Sequence, residues 1–477
     1  MSRIIRRFGT KIILGLLFSL LAMESLAQSN SPSTTNFAGN WDVILHVRDI
    51  GSVHTILTIE PKSEGKWWAY SRPGALRDAV GWRKAFLALL FSRDYPKGSF
   101  IHIDDGTTIQ HNDTLQVAGV ISAPVWGKLR MNGFVVGNKW KGTLFSLRTG
   151  KPYALIEGVP FQSQPPLCNY PKILDTMLAT TQIHYYRPSE LNDEKWNILR
   201  TTLREKFGTA QDDIDAIIGC YLSLQKLQTS HYGLYRKLDV TLPEITDEEN
   251  PLESAPIRFS INDKSIGILT VKSFGFGDDP IDSVFTIINQ QKPTSLIIDL
   301  RNNPGGTLLS MAVAGHLLDK PEPAGTFIGV KWWKSHDRLP TAADIAQLPL
   351  LTETDIDTFF VLLRKYGGLR GEVTPDHTIY NGKAAVLING NTASACEPLA
   401  YLLQSTGRAK IIGENSAGAM LSSEGFDIGQ GWEVLVPTAD YYTADGKRLE
   451  GTGVKPDIAV KSDRAMDTAI KWLVDNR

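Results

Sequence analysis

The chain has 477 residues, with 50 lysines and arginines against 51 aspartates and glutamates, and three cysteines. That length exceeds one ordinary core and implies two or more domains, while 42% hydrophobic and 21% charged residues exclude a mostly disordered or collagen-like chain. A formal net charge of −1 gives no electrostatic footprint for a nucleic acid, and three cysteines with no CxxC pair support neither a disulfide framework nor a structural zinc.

At the amino end, Arg3, Arg6, Arg7 and Lys11 precede an apolar run over 12–22, and Ser25-Leu26-Ala27 follows it. The run is shorter than the roughly 20 residues of a spanning helix. Residues 1–27 therefore read as a secretory signal peptide cleaved after Ala27, with a retained membrane anchor as the alternative; the signal peptide predicts an exported, periplasmic or extracellular protein with no integral membrane segment after cleavage. Residues 28–36 are rich in Ser, Thr and Asn and read as a flexible lead-in.

Residues 37–162 read as a β-rich accessory domain. Trp41, Val43, Leu45 and Val47 alternate with polar neighbours, broken only by Ile44. Further strands are expected at 55–59, 100–103, 114–121, 128–136 and 140–147, with a tight turn at Gly137-Asn138 and one helix over 76–91. His46, His54, His102 and His111 form no ligand cluster by spacing. From 163 to 240 apolar residues recur every three to four positions, giving a helical segment that holds Cys168 and Cys220, a candidate pair in an oxidising compartment. From 251 to 477 strands and helices alternate, which reads as an α/β core. A long insertion at 319–381 has a charged helix near 355–365 and is placed to shape a cleft.

Chemistry concentrates in loops after predicted strands of that core. Asp299-Leu300-Arg301-Asn302-Asn303-Pro304-Gly305-Gly306 has paired glycines able to turn backbone N–H groups toward one point, or simply to make a tight turn. Asn389-Gly390-Asn391-Thr392-Ala393-Ser394-Ala395-Cys396-Glu397 opens a helix. Ser394 there is either a hydroxyl near free amides or half of a Ser-x-x-Glu capping box. Cys396 reads as a packed thiol, and Ser416 lacks a GxSxG elbow. Glu450, flanked by Gly451, is a single acid on a loop, with a solvated turn carboxylate as the plain alternative.

In order and spacing, DLRNNPGG, NGNTASACE, GRAKIIGENSAG and GKRLEGTGVKPD resemble the tail-specific, or C-terminal processing, serine peptidases, including the tricorn-protease core. The resemblance covers about residues 224–460. It implies an α/β peptidase core of ClpP/crotonase-like type that hydrolyses peptide bonds of peptides or of unfolded or partly folded proteins, with no metal or organic cofactor. It places Ser394 on the nucleophile and Gly305 or Gly306 with Ala395 on the oxyanion-hole amides. Two departures stand out. Ala419 occupies the position of the usual lysine base, and no lysine occurs between Lys410 and Lys447. The tricorn-like branch instead uses a Ser-His dipeptide and a later glutamate, here Ser230-His231 and Glu450; His231 alone would read as a helix-end histidine. Only 33 residues separate His231 from the strand at Ser265, too few for a PDZ-like domain of about a hundred. A catalytically degenerate peptide-binding or envelope-scaffold protein of the same fold is the alternative.

Overall fold

The computed structural model describes residues 37–48, 50–81, 84–85, 95–123, 127–227, 229–243, 255–275, 280–352 and 355–476. The expected signal peptide, the lead-in and half of the expected helix over 76–91 lie outside the described residues. The chain divides into two compact units that are interleaved in sequence: the first runs up to Cys168 and takes back Gln211–Ile214 and a stretch from Leu238, and the second holds the rest.

The first unit is a closed, eight-stranded antiparallel barrel. Its strands are β1 (Gly39–Val47), β2 (Gly51–Ser63), β3 (Lys66–Tyr70), β4 (His102–His111), β5 (Thr114–Ala123), β6 (Gly127–Val136), β7 (Lys139–Ser146) and β8 (Pro152–Pro160). Closure pairs β1 with β8, Trp41 facing Pro160 and Val47 facing Ala154. The period-two pattern works as read, sending Val43, Leu45 and Val47 inside. β3 and β8 were not expected, because neighbouring aromatics in one and prolines at both ends of the other blur the alternation. The expected strand at 100–103 starts at His102, and helix α1 (Ala75–Val80) accounts for the described start of the 76–91 helix. Phe37, Trp41, Trp67 and Trp140 fill the barrel edge-to-face, with ring centroids 5.1–6.5 Å apart. The returning stretches strap its wall. Asp212 Oδ2 accepts from Thr55 Oγ1 at 2.7 Å, Asp213 Oδ2 accepts from His54 N at 3.0 Å, and Asp239 N donates to Ser52 Oγ at 3.1 Å.

The second unit opens with helices α2 (Tyr170–His184), α3 (Glu194–Thr209) and α4 (Asp213–Leu224, from Asp215 in this unit), so the helical segment shares a unit with the α/β core. After β9 (Gly233–Arg236) come β10 (Ile257–Ile261), β11 (Ile266–Val271), α5 (Ile281–Gln291), β12 (Ser295–Asp299) and α6 (Ser310–Gly315). The insertion supplies β13 (Glu322–Gly329), α7 (Val330–Ser335), α8 (Ala342–Gln347), α9 (Ile356–Tyr366) and β14 (Gly368–Val373). Then follow β15 (Lys383–Ile388), α10 (Cys396–Ser405), β16 (Ala409–Gly413), β17 (Ser422–Gly429), β18 (Trp432–Tyr442), β19 (Ile458–Ala459) and α11 (Ala465–Asp475). The central sheet has the order β10-β11-β12-β15-β16-β19, parallel except for β10. β12 is buried along its whole length, as its unbroken apolar run requires for a strand covered on both faces. Leu296 and Ile298 enter the larger core with α5, while Ile297 packs with Ala465, Ala469 and Leu473 of α11 on the other face. A second sheet runs β14-β13-β18-β17, with β9 also on β18. Among the described residues no helix is long and apolar enough to cross a membrane. Cys168 and Cys220 are not joined to each other; Cys220 is a buried thiol whose titration burial pushes up to about 12.

Candidate active site

Three loops leave the carboxyl ends of neighbouring parallel strands: 300–307 after β12, 389–395 after β15 and 414–421 after β16. Backbone bonds stitch them together. Ala393 N donates to Asn303 O at 3.0 Å, Ala417 N to Thr392 O at 2.9 Å, and Ser394 N to Ala419 O at 3.1 Å. Glycine is required at 305, since a Cβ there would stand 2.7 Å from Ser394 Cβ and 3.0 Å from Ala395 N.

Ser394 lies in the left-handed region, with φ +53°. That conformation is costly for a residue with a Cβ and recurs where a site over-determines it. The capping box is only half built. Glu397 Oε1 accepts from Ser394 N at 3.1 Å, but helix α10 has Ala395 at its cap and no side-chain cap bond. The Ser394 hydroxyl makes no hydrogen bond among the described residues, with His231 or any other group, so it is not held as a cap. Gly305 N–H donates to Asn303 Oδ1 at 2.8 Å, which commits it within its own loop. No such bond occupies the Gly306 and Ala395 amides among the described residues.

Glu397 itself is a site residue that the sequence reading took only as a cap partner. It is wholly buried and accepts from Ser416 Oγ at 2.7 Å, Gly418 N at 2.9 Å and Ala419 N at 2.8 Å, besides Ser394 N. Burial raises its pKa, and these four donors oppose the shift. No sequence signal marks this role, because three of the partners lie about twenty residues downstream.

Ser230, His231 and Glu450 form one hydrogen-bonded cluster although they are distant in sequence. Glu450 is 4% exposed, which removes the solvated-turn alternative. Its Oε1 accepts from Ser230 N and its Oε2 from Ser230 Oγ, both at 2.8 Å, and Oε2 also accepts from Met420 N at 2.6 Å. Ser230 Oγ lies 2.8 Å from His231 Nδ1. The single hydroxyl hydrogen goes to Glu450, so Ser230 Oγ accepts from Nδ1–H and the ring lone pair sits on Nε2. His231 is also backbone-strained, with φ +56°. Burial lowers its pKa and the Glu450 charge partly offsets that. The two clusters meet through adjacent residues: Ala419 holds Ser394, and Met420 holds Glu450.

Beside Ser394 lies a pocket of about 200 Å³, walled mainly by apolar side chains of the insertion and of α6, α10 and β18. The expectation that the insertion shapes a cleft holds, since Leu351, Ile356 and Phe359 line it. Cys396 is buried, its titration pushed up by burial, as a packed thiol should be. Away from the site, Asp282, His316 and Asp376 each bring one ligand-type atom within 4.8 Å of the others. His316 Nε2 faces Asp282 Oδ1 and Nδ1 faces the Thr378 carbonyl, each at 2.9 Å, so both ring nitrogens are spent on hydrogen bonds that tie α5 to the loop before β15.

Residues 265–460 match peptidase family S41. The chain is 28% identical over 193 residues to a carboxy-terminal-processing protease of Bartonella bacilliformis, covering 40% of this chain and 37% of that protein. It is 25% identical over 229 residues to a carboxyl-terminal-processing protease of Synechocystis, covering 46% and 44%. The chain thus spans less than half the length of these relatives. A solved structure, described as a putative peptidase from Parabacteroides merdae, aligns with a TM-score of 0.47 at 17% identity, over 66% of this chain and 99% of that one. The matched region carries Ser394 and Glu450, and over residues 265–460 the chain is a peptidase family S41 domain similar to C-terminal processing proteases.

Proposed function

We propose that the protein is an exported serine peptidase with a ClpP/crotonase-like core over 251–477, whose base is supplied by the helical segment 163–240 and whose barrel, 37–162, is an accessory domain. Its substrates are peptides or unfolded or partly folded proteins. Ser394 Oγ attacks the scissile carbonyl carbon while His231 Nε2 takes its proton. The developing oxyanion is held by the Gly306 and Ala395 amides, Gly305 serving as the close-packing glycine between them. Collapse expels the amine, which receives the proton from Nε2 and leaves an acyl ester on Ser394. Water, deprotonated by the same nitrogen, then releases the acid and restores the serine. Glu450 and Ser230 fix the tautomer that makes Nε2 the base.

The observation that carries this reading is the Glu450–Ser230–His231 chain of hydrogen bonds, built where Ala419 has removed the lysine alternative. The test is labelling by a fluorophosphonate, which needs an activated serine, together with hydrolysis of an unstructured protein. Ser394→Ala should abolish both. His231→Ala should lower hydrolysis by about three to four orders of magnitude, and the double variant should lose little more. Full hydrolysis by His231→Ala, or no labelling of the unmodified protein, overturns the assignment.

A further inference from the structure

The pocket beside Ser394 has one feature at odds with its apolar walls. Ser310, the first residue of α6, lines it and is wholly buried, and its Oγ has no hydrogen-bond partner among the described residues. Other buried hydroxyls without a partner exist among those residues, such as Ser295 and Thr438, but neither lines this pocket. A buried hydroxyl left unpaired is a cost, and a ligand group that pairs with it gains from removing that cost. Three flat rings, from Phe327, Phe359 and Tyr441, line it among aliphatic side chains. Among the described residues no lysine, arginine or histidine lines the pocket, and the one charged lining side chain is the exposed carboxylate of Glu372.

We propose that this is the specificity pocket of the site and that it selects a tyrosine-type side chain, an aromatic ring carrying a hydroxyl that pairs with Ser310 Oγ. The proposal rests on the peptidase reading above. An aliphatic side chain fills the walls but leaves Ser310 unpaired. A carboxylate meets Glu372, and Arg370, 3.9 Å from that acid, does not line the pocket. Phenylalanine fits the rings and forfeits only the hydrogen bond, so the Tyr-to-Phe ratio isolates what Ser310 does.

The experiment uses matched peptides that differ at a single residue (Tyr, Phe, O-methyl-Tyr, Leu, Lys or Glu), with each cut mapped by mass spectrometry. In the unmodified protein, kcat/KM should favour Tyr over Phe by about tenfold to a hundredfold when that residue flanks the cut, with O-methyl-Tyr no better than Phe. Ser310→Ala should bring the Tyr-to-Phe ratio close to one. Dissociation constants of the same peptides with Ser394→Ala read the pocket without any turnover. Hydrolysis with no Tyr-over-Phe preference, or with Lys or Leu preferred, overturns the pocket assignment alone. Tyr-selective binding without hydrolysis by the unmodified protein supports the pocket and overturns the peptidase reading. Neither binding preference nor hydrolysis overturns both.

Discussion

At the scale of single residues, the base carries the pH dependence. His231 acts as the neutral imidazole, and burial holds its pKa below the ordinary 6.5. Activity should therefore persist as the medium is acidified past that value and fall only through the depressed pKa. Glu450 pushes the other way, so Glu450→Gln should move the acid limb of a kcat/KM profile further down as well as lowering its plateau. An acid limb above pH 6.5 in the unmodified protein would contradict the arrangement. Stability has the same sign. With the folded pKa below the unfolded one, the histidine's contribution is present above the unfolded value and is lost as pH falls toward the folded one. A Ser-His dipeptide, a missing lysine and one glycine-flanked acid were legible in the sequence. The occupied Gly305 amide was not, because its partner, Asn303, sits in the same loop and reads there as turn chemistry.

At the scale of elements, one side chain ties two loops together. Glu397, in the first turn of α10, fastens the start of its own helix to 416–419 with both carboxylate oxygens. Glu397→Gln replaces one acceptor oxygen with an amide donor that must face existing donors. The expected cost is about 1–3 kcal/mol in denaturant unfolding, with kcat falling more than KM rises because the Ser394 backbone is what shifts. Unchanged kcat with reduced stability would make Glu397 structural only. Element existence was readable from periodicity and strand composition: the alternation of strands and helices expected over 251–477 is present from β10 to α11. The order in which strands pair was not readable, since burial on both faces removes the alternation that marks a strand's exposed side. The barrel's closure escaped for a related reason: β1 pairs β8 over more than a hundred residues, and no local pattern encodes a partner at that distance.

At the scale of the molecule, two compact units with separate cores predict two unfolding transitions rather than one. Trp41 is 1% exposed at the centre of the barrel's aromatic cluster. Trp41→Ala should destabilise the first unit by about 3–5 kcal/mol, lowering one calorimetric transition while the other and fluorophosphonate labelling stay in place. A single transition shifting as a whole would show the units to be thermodynamically one.

The straps on the barrel wall carry a kinetic consequence. All eight strands are complete by Pro160, yet Asp212, Asp213 and Asp239 come later in the chain. During synthesis from the amino end, the staves therefore exist before their hoops do. A nascent chain arrested before residue 211 holds Thr55 Oγ1 and the His54 amide without their native acceptors. The barrel must ripen in two stages, first by strand registration and later by clasping, and hydrogen exchange at His54 and Ile56 should slow only once the segment past Asp213 has been made.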